Sequence, residues 1–421
     1  MKKNPKTSSL KLRSRPKMGL GAAFLGAEER RLVLDVLKRG ELFRYYGLAA
    51  DLNRPPPMAA RFEKEFRAKM GTKHALGVTS GTAALEVALG ALGVGPGDEV
   101  IVPAWSWISC FTSVVRVGGR PVLAEVDDTF NLDPAEITRL ATPRTKAVIV
   151  VHYQGVAADM DPILSAAKKV GVAVLEDCAE SPGALYHDRR VGSLGDIGIF
   201  SFQYQKSMTS GEGGAVVTND DRLYERAVRM HDLGNYRPYH AALKPPTESP
   251  FCGSQFRMSE LTAAVALAQL RKLDRIRNHC RRLRARIMKG IGGLPGLTFR
   301  RIPDPSGDSG FEIYAFLKSA ELAVEFKNRL NARNVNCAKM TGTYPHYAQG
   351  YCTGARAHAA SASPFAGITP WPAPGYRKED FPRTEDLIHR HIALPLGVLY
   401  TTADADHVVC SVREVHAELR Q

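Results

Sequence analysis

The amino-acid sequence predicts an α/β fold: a large domain with a mostly parallel central sheet, and a smaller C-terminal α+β domain. Three observations predict it. Short apolar runs at 75–78, 100–102, 121–125, 147–152 and 172–177 alternate with helix-period segments at 83–92, 134–140 and up to Lys169. Such β-α-β alternation places successive strands side by side and parallel. Two further apolar runs, 197–202 and 215–218, bracket a glycine-rich turn at 211–214, the signature of strand, connection, strand. A long helical pattern from about 260 to 283 then leads into a stretch with short strands near 297–302 and 311–317 and helices at 320–333 and 403–418. The expected division is a basic tail (1–19), a large domain (20–284) and a small domain (285–421). A chain of 421 residues, 44% of them apolar, is long enough for two or three buried cores.

Each element has a local reason. Leu32, Val33, Val36 and Leu37 give Ala27–Lys38 a helical face, and Gly40 stops it. Phe43-Arg44-Tyr45-Tyr46-Gly47 is an aromatic loop, and Pro55-Pro56-Pro57 forbids regular structure before the helix near 58–70. The strand 75–78 breaks at Thr79-Ser80-Gly81-Thr82. Free backbone N–H groups at that turn make either an ordinary helix cap or an anion site. Pro103 ends the strand 100–102, and Ala104–Ser109 opens a helix in which Trp105 and Trp107 face different ways. Asp133 caps the helix 134–140. Asp220–Met230 is a helix, and 235–256 is a long loop rich in proline and aromatic residues, a length that marks function or disorder.

Composition excludes several classes. The net charge is +14, and Lys2, Lys3, Lys6, Lys11, Arg13, Arg15 and Lys17 all lie in the tail. With Pro5, Ser8, Ser9, Ser14 and Pro16 there as well, the tail is expected to be disordered, a solubilising arm rather than a nucleic-acid arm. It lacks the apolar core of a signal peptide, and no apolar run of about 18 residues spans a membrane. The seven cysteines form no C-x-x-C pair, and their odd number argues against a full disulfide framework. Reduced thiols in a cytoplasmic protein are expected, with no metal, nucleic acid or membrane partner. There is no internal repeat and no G-x-G-x-x-G dinucleotide fingerprint.

Lys206 sits between two buried strands, close to Gly211, Gly213 and Gly214. Taken alone it is either a solvated loop lysine or a reactive amine. Asp177 ends the strand 172–177, and carboxylates at the C-terminal ends of parallel strands point into the ligand crevice. A lysine that forms a Schiff base and a carboxylate that pairs with a pyridinium nitrogen are the two groups pyridoxal 5′-phosphate (PLP) requires.

Glu176-Asp177, then Ser201-Phe202 with Lys206, then Gly211-Glu212-Gly213-Gly214-Ala215 resembles, in order and spacing, the signature of the DegT/DnrJ/EryC1/StrS sugar aminotransferases. With Ala393-Leu394-Pro395-Leu396, the resemblance covers about residues 20 to 420. It implies the PLP-dependent transferase fold of type I (aspartate aminotransferase-like), with PLP as cofactor and its amine form, PMP, as the intermediate state. It implies that Lys206 bonds the cofactor and moves the substrate proton, and that Asp177 keeps the pyridine nitrogen protonated. Gly81, Thr82 and Ser201 would hold the phosphate, and Trp107 would stack on the ring. Glu180, where many members carry Gln, would lie beside the ring hydroxyl. Gln255, where members usually carry Asn, would reach the neighbouring subunit's phosphate. Arg257 is either a ligand for the donor carboxylate or a structural ion pair, and His346 is a second substrate-side candidate. The family builds each active site from two chains, so a homodimer is expected.

The implied reaction takes an amino group from glutamate, or glutamine, to a keto or aldehyde sugar. Phe43-Arg44-Tyr45 and the segment from Ile302 to Gly310 are similar to the 8-amino-3,8-dideoxy-octulosonate transaminases, which act on a free eight-carbon keto-acid sugar. Two other readings differ in class. A PLP- or PMP-dependent sugar dehydratase of this family commonly carries His at the position of Lys206. A non-catalytic regulatory member would need neither Lys206 nor Asp177.

Overall fold

The computed structural model describes residues 21–45, 56–243, 245–339, 345–353, 358 and 375–419. The basic tail, Tyr46-Gly47 and Pro55 lie outside the described residues. Helix α1 (Ala27–Arg39) ends on Gly40 at φ 70°, in the left-handed region that glycine enters without strain. Helix α2 (Met58–Met70) begins directly after Pro57. The alternating core follows as β1 (His74–Val78), α3 (Gly81–Leu92), β2 (Glu99–Pro103), α4 (Ile108–Arg116), β3 (Arg120–Ala124), α5 (Pro134–Leu140), β4 (Thr145–Val151), α6 (Met160–Val170) and β5 (Ala173–Asp177). A short hairpin, β6 (Leu185–Tyr186) and β7 (Arg189–Arg190), precedes β8 (Ile197–Ser201) and β9 (Gly214–Thr218). Then come α7 (Asp221–His231), α8 (Pro238–Leu243) and α9 (Glu260–Ile291). The remainder is β10 (Thr298–Phe299), β11 (Glu312–Phe316), α10 (Ala320–Ala332), α11 (Gly350–Thr353), α12 (Pro382–Arg390), β12 (His391–Pro395) and α13 (Thr402–Glu418).

Seven strands form the main sheet in the order β1-β9-β8-β5-β4-β2-β3. The run from β8 to β3 is parallel, while β9 pairs antiparallel with both β1 and β8. Asp177 and Ser201 therefore end neighbouring parallel strands at the same edge, where an open α/β sheet holds its ligands. All five residues of β2, β8 and β9 are buried, as strands covered by helices on both faces must be. On one face Phe62, Phe66, Phe200 and Phe202 meet edge to face at 4.9–5.7 Å, a geometry that adds about 0.5–1.5 kcal/mol per pair beyond burial. A second, antiparallel sheet, β10-β11-β12, packs Ile313, Ala315 and Leu394 against Ile287, Phe326 and Val412.

Four elements differ from the expectation. The helix after Trp105 starts only at Ile108, with Trp107 extended at its cap, because Trp105 is buried in the core and fixes the chain before it can wind. The loop 235–256 contains α8. The strand near 297–302 is reduced to Thr298–Phe299, since Arg300 and Arg301 turn back to hydrogen-bond Thr129 and to pair with Asp127 and Asp128. Helix α9 runs on to Ile291 without a break; Ile287 and Ile291 are buried in the small-sheet core and extend its apolar face. The division expected at 284/285 falls inside this helix. No helix among the described residues is long and apolar enough to cross a membrane.

Candidate active site

A cavity of about 620 Å³ opens at the C-terminal edge of β5 and β8, and Gly81, Thr82, Trp107, Asp177, Glu180, Ser201 and Lys206 all line it. Gly81 and Thr82 open α3, Trp107 caps α4, Asp177 and Ser201 end β5 and β8, and Glu180 and Lys206 follow those two strands. Ser80 caps α3 by accepting a hydrogen bond from Ala83 N–H at 3.0 Å. The N–H groups of Gly81 and Thr82, which precede the first intrahelical bonds, face the cavity mouth as a positive helix end. A side chain at position 81 would bring a Cβ within 2.7 Å of the Ser201 Cβ, so glycine is what lets the helix tip close on the strand end. The Thr82 and Ser109 hydroxyls hydrogen-bond at 2.7 Å. Trp107 is 48% exposed and offers a flat face to the cavity, whereas Trp105 is 1% exposed.

Asp177 is held firmly. Its Oδ1 accepts from Ala179 N–H at 2.9 Å and its Oδ2 from the Cys110 thiol at 3.2 Å. Burial pushes its carboxyl up, opposed by those two donors and by the Lys206 charge. Burial and the neighbouring Asp177 push the Cys110 thiol well up, so it stays a donor. Lys206 Nζ lies 3.9 Å from Glu180 Oε1. Glu180 is also pushed up, by burial first and then by Asp177, with Lys206 opposing.

Behind the cavity, Glu176 fixes the floor. It accepts from the N–H groups of Gly192, Leu194 and Gly195 at 2.6–2.8 Å and from His152 Nε2 at 2.8 Å. Since His152 Nδ1 accepts from Ala158 N–H, the proton is on Nε2. Burial pushes Glu176 up, but these donors outweigh it and hold the carboxylate below its usual range. His152, Glu176 and Cys178 bring donor atoms within 4.8 Å of one another, yet the His152 nitrogens and Glu176 oxygens are already spent on this scaffold.

Three expected residues do not line this cavity. Gln255 is exposed, in a bridge with Asp232. Arg257 pairs with the Asp232 carboxylate, and its guanidinium stacks 5.4 Å from the Phe43 ring centre, the structural alternative allowed for it. His346 corrects the expectation of a substrate contact: it is fully buried, hydrogen-bonded to Ser106 and Tyr351, and pushed down to about 3 by burial. The segment 302–310 also lies away from the lining. Gly307 accepts from Leu185 N–H, and Ser306 and Asp308 carbonyls accept from α9 arginines. The sequence reasoning missed Ser109, Cys110, Gln154 and Glu312, which line the cavity. Gln154 carried a faint signal, a residue beside Gly155 that adopts φ 48°.

The lining suits a phosphorylated pyridine aldehyde: a helix-end anion nest, a buried acid, an amine and a flat aromatic converge on one space. A family model described as the DegT/DnrJ/EryC1/StrS aminotransferase family matches residues 51–413. The chain is 32% identical over 406 residues to the spore coat polysaccharide biosynthesis protein SpsC of Bacillus subtilis, covering 93% of this chain and 95% of that one. It is 39% identical over 260 residues to the L-glutamine:2-deoxy-scyllo-inosose aminotransferase of Streptoalloteichus tenebrarius, covering 61% of each. The structure of S. venezuelae DesV in complex with a ketimine intermediate superposes with a TM-score of 0.78 at 29% identity, over 96% of this chain and 99% of that one.

Proposed function

This chain belongs to the DegT/DnrJ/EryC1/StrS family of PLP-dependent sugar aminotransferases, and from that premise we propose that it carries an amino group from glutamate or glutamine to a keto or aldehyde carbon of a sugar. The observation that carries the reading is the meeting of Lys206 and Asp177 in one cavity, two groups that a binding protein has no use for together. PLP, when bound, supplies an electron sink for the pair of electrons left on the substrate carbon.

The chain's own residues do the rest. Lys206 Nζ takes the proton from the substrate Cα. Asp177 would pair with the pyridine nitrogen of PLP and hold a proton there. Gly81, Thr82 and Ser201 would hold the phosphate, and Trp107 would cover the ring. Glu180, 3.9 Å from Lys206 Nζ, helps to position the lysine head group. The position of Lys206, where dehydratases of this family carry His, favours transamination.

The finer points belong to the same reading. Gln255 is exposed on the segment after α8, which supports a contact with the partner subunit's phosphate in a homodimer. The free state of all seven cysteines supports a cytoplasmic setting. Similarity at 43–45 and 302–310 supports an eight-carbon keto-acid sugar among the acceptors, while the relatives' names point to polysaccharide precursors and to a cyclitol. A screen of such acceptors with ¹⁵N-labelled glutamate and glutamine tests the reading. The wild type yields a labelled amino sugar and a visible lysine-linked cofactor band; Lys206→Ala, folded as the wild type, yields neither. Turnover by Lys206→Ala sinks the assignment.

A further inference from the structure

Glu312 opens β11 and faces the cavity from the small sheet. Side chains alternate along a strand. Ile313 and Ala315 join the small-sheet core, whereas Tyr314 and Phe316 pack on Phe130 of the large sheet's layer. Glu312 shares the Tyr314 side, so the register aims it at the cavity. Its strand partner Pro395 is also in the wall.

The Oε2 atoms of Glu312 and Glu180 are both buried with no hydrogen-bond partner, and the Glu180 side chain is only 10% exposed. Buried acceptors are nearly always paired, because an unpaired one has lost its water for nothing. Among the described residues, four carboxyl side chains line this cavity (Asp177, Glu180, Glu212 and Glu312) against one cation, Lys206, which the cofactor claims. Burial, then the Glu180 charge, push Glu312 up to about 7, with Tyr314 and Arg300 opposing. A second negative charge brought here is therefore disfavoured, while a neutral donor is welcome.

We propose that Glu312 is a specificity-determining residue whose carboxyl accepts a hydrogen bond from an uncharged N–H or O–H group of a substrate and disfavours an anionic group in the same place. The group is the carboxamide of the amino donor or a hydroxyl of the sugar. The inference rests on the aminotransferase reading of this cavity. Sites built to pair a substrate N–H or O–H reject analogues lacking it far more strongly than apolar pockets do.

The test compares wild type, Glu312→Gln and Glu312→Ala as PLP-loaded full chains. In the donor arm, loss of the cofactor's visible band is followed with L-glutamine and with L-glutamate, which differ only in carboxamide against carboxylate. The wild type favours L-glutamine, and both variants shrink the L-glutamine to L-glutamate ratio of rate constants at least tenfold, Glu312→Gln by gaining on L-glutamate. In the acceptor arm, return of the band from the pyridoxamine form is followed with 2-deoxy-scyllo-inosose, an uncharged polyol ketone. There a hydroxyl contact raises KM at least tenfold in Glu312→Ala at unchanged kcat, with partial recovery in Glu312→Gln. A change in the donor arm assigns the contact to the carboxamide, and one in the acceptor arm to a hydroxyl; where the wild type refuses the inosose, the donor arm decides alone. Ratios and KM within twofold of wild type overturn the proposal. A wild type whose band survives both donors overturns the aminotransferase reading instead. Circular dichroism and cofactor retention identify a misfolded variant, for which Glu312→Asp is substituted.

Discussion

At the scale of single residues, Asp177 bears the sharpest prediction. Its carboxylate sits at a strand end with two donors holding it, so Asp177→Asn keeps the shape and the bond from Ala179 N–H, gives up acceptance from the Cys110 thiol, and cannot hold a proton on a pyridine nitrogen. We expect cofactor binding to persist while kcat falls about 10²-fold or more, the range for removing a positioned acid or base; stopped-flow and steady-state rates check it. Wild-type turnover would move the electron-sink partner elsewhere. The convergence of Lys206 and Asp177 on one cavity was legible because each is tied to a local pattern, a glycine-rich turn and the end of an apolar run. Cys110 and Glu312 were not. Cys110 meets Asp177 across 67 residues of sequence, and Glu312 comes from another sheet. His346 misled for the same reason: nothing local tells a buried, doubly paired imidazole from a ligand.

At the scale of elements, the histidines that fasten them set an acid limit. His231 Nδ1 donates to Val228 O, so its Nε2 accepts from the Tyr45 hydroxyl. Tyr45 oxygen then accepts from His240 Nε2, and His240 Nδ1 accepts from the Tyr224 hydroxyl. One directed chain thus pins the aromatic segment 43–45 to α7 and α8. Burial, with the Arg44 charge, pushes His231 down to about 3; burial pushes His346 to about 3 and His391 to about 4. Folded values below the unfolded one, about 6.5, mean that the unfolded chain takes up protons first. Their stabilisation is whole above about pH 6.5 and is lost as the pH falls from there towards 3–4. Tm should therefore drop steadily between pH 7 and pH 4.5, and a flat profile would refute it. Element positions were mostly legible, because caps and periodicity are local. The late start of α4 and the shortening of β10 were not, since a buried Trp105 and the contacts of Arg300 and Arg301 decided them.

At the scale of the whole molecule, the basic tail carries seven of the chain's positive side chains, and its composition offers too little apolar surface to fold. Removing residues 1–19 is expected to leave kcat/KM unchanged at low and high salt. A loss confined to low salt, where long-range attraction is unscreened, would give the tail a steering role. Helix α9 has a further consequence. Its 32 residues form an unbroken rod about 48 Å long. Arg271 and Asp274 tie its first half to α1, α2 and β7, while Arg284 and Arg286 tie its second half to Asp308 and α13. Neither sheet can shed this rod without stripping the other of its cover. In a scanning calorimeter the chain should accordingly absorb its heat of melting in one peak, with calorimetric and van't Hoff enthalpies equal per cooperative unit, rather than in the two steps that its two sheets would give on their own.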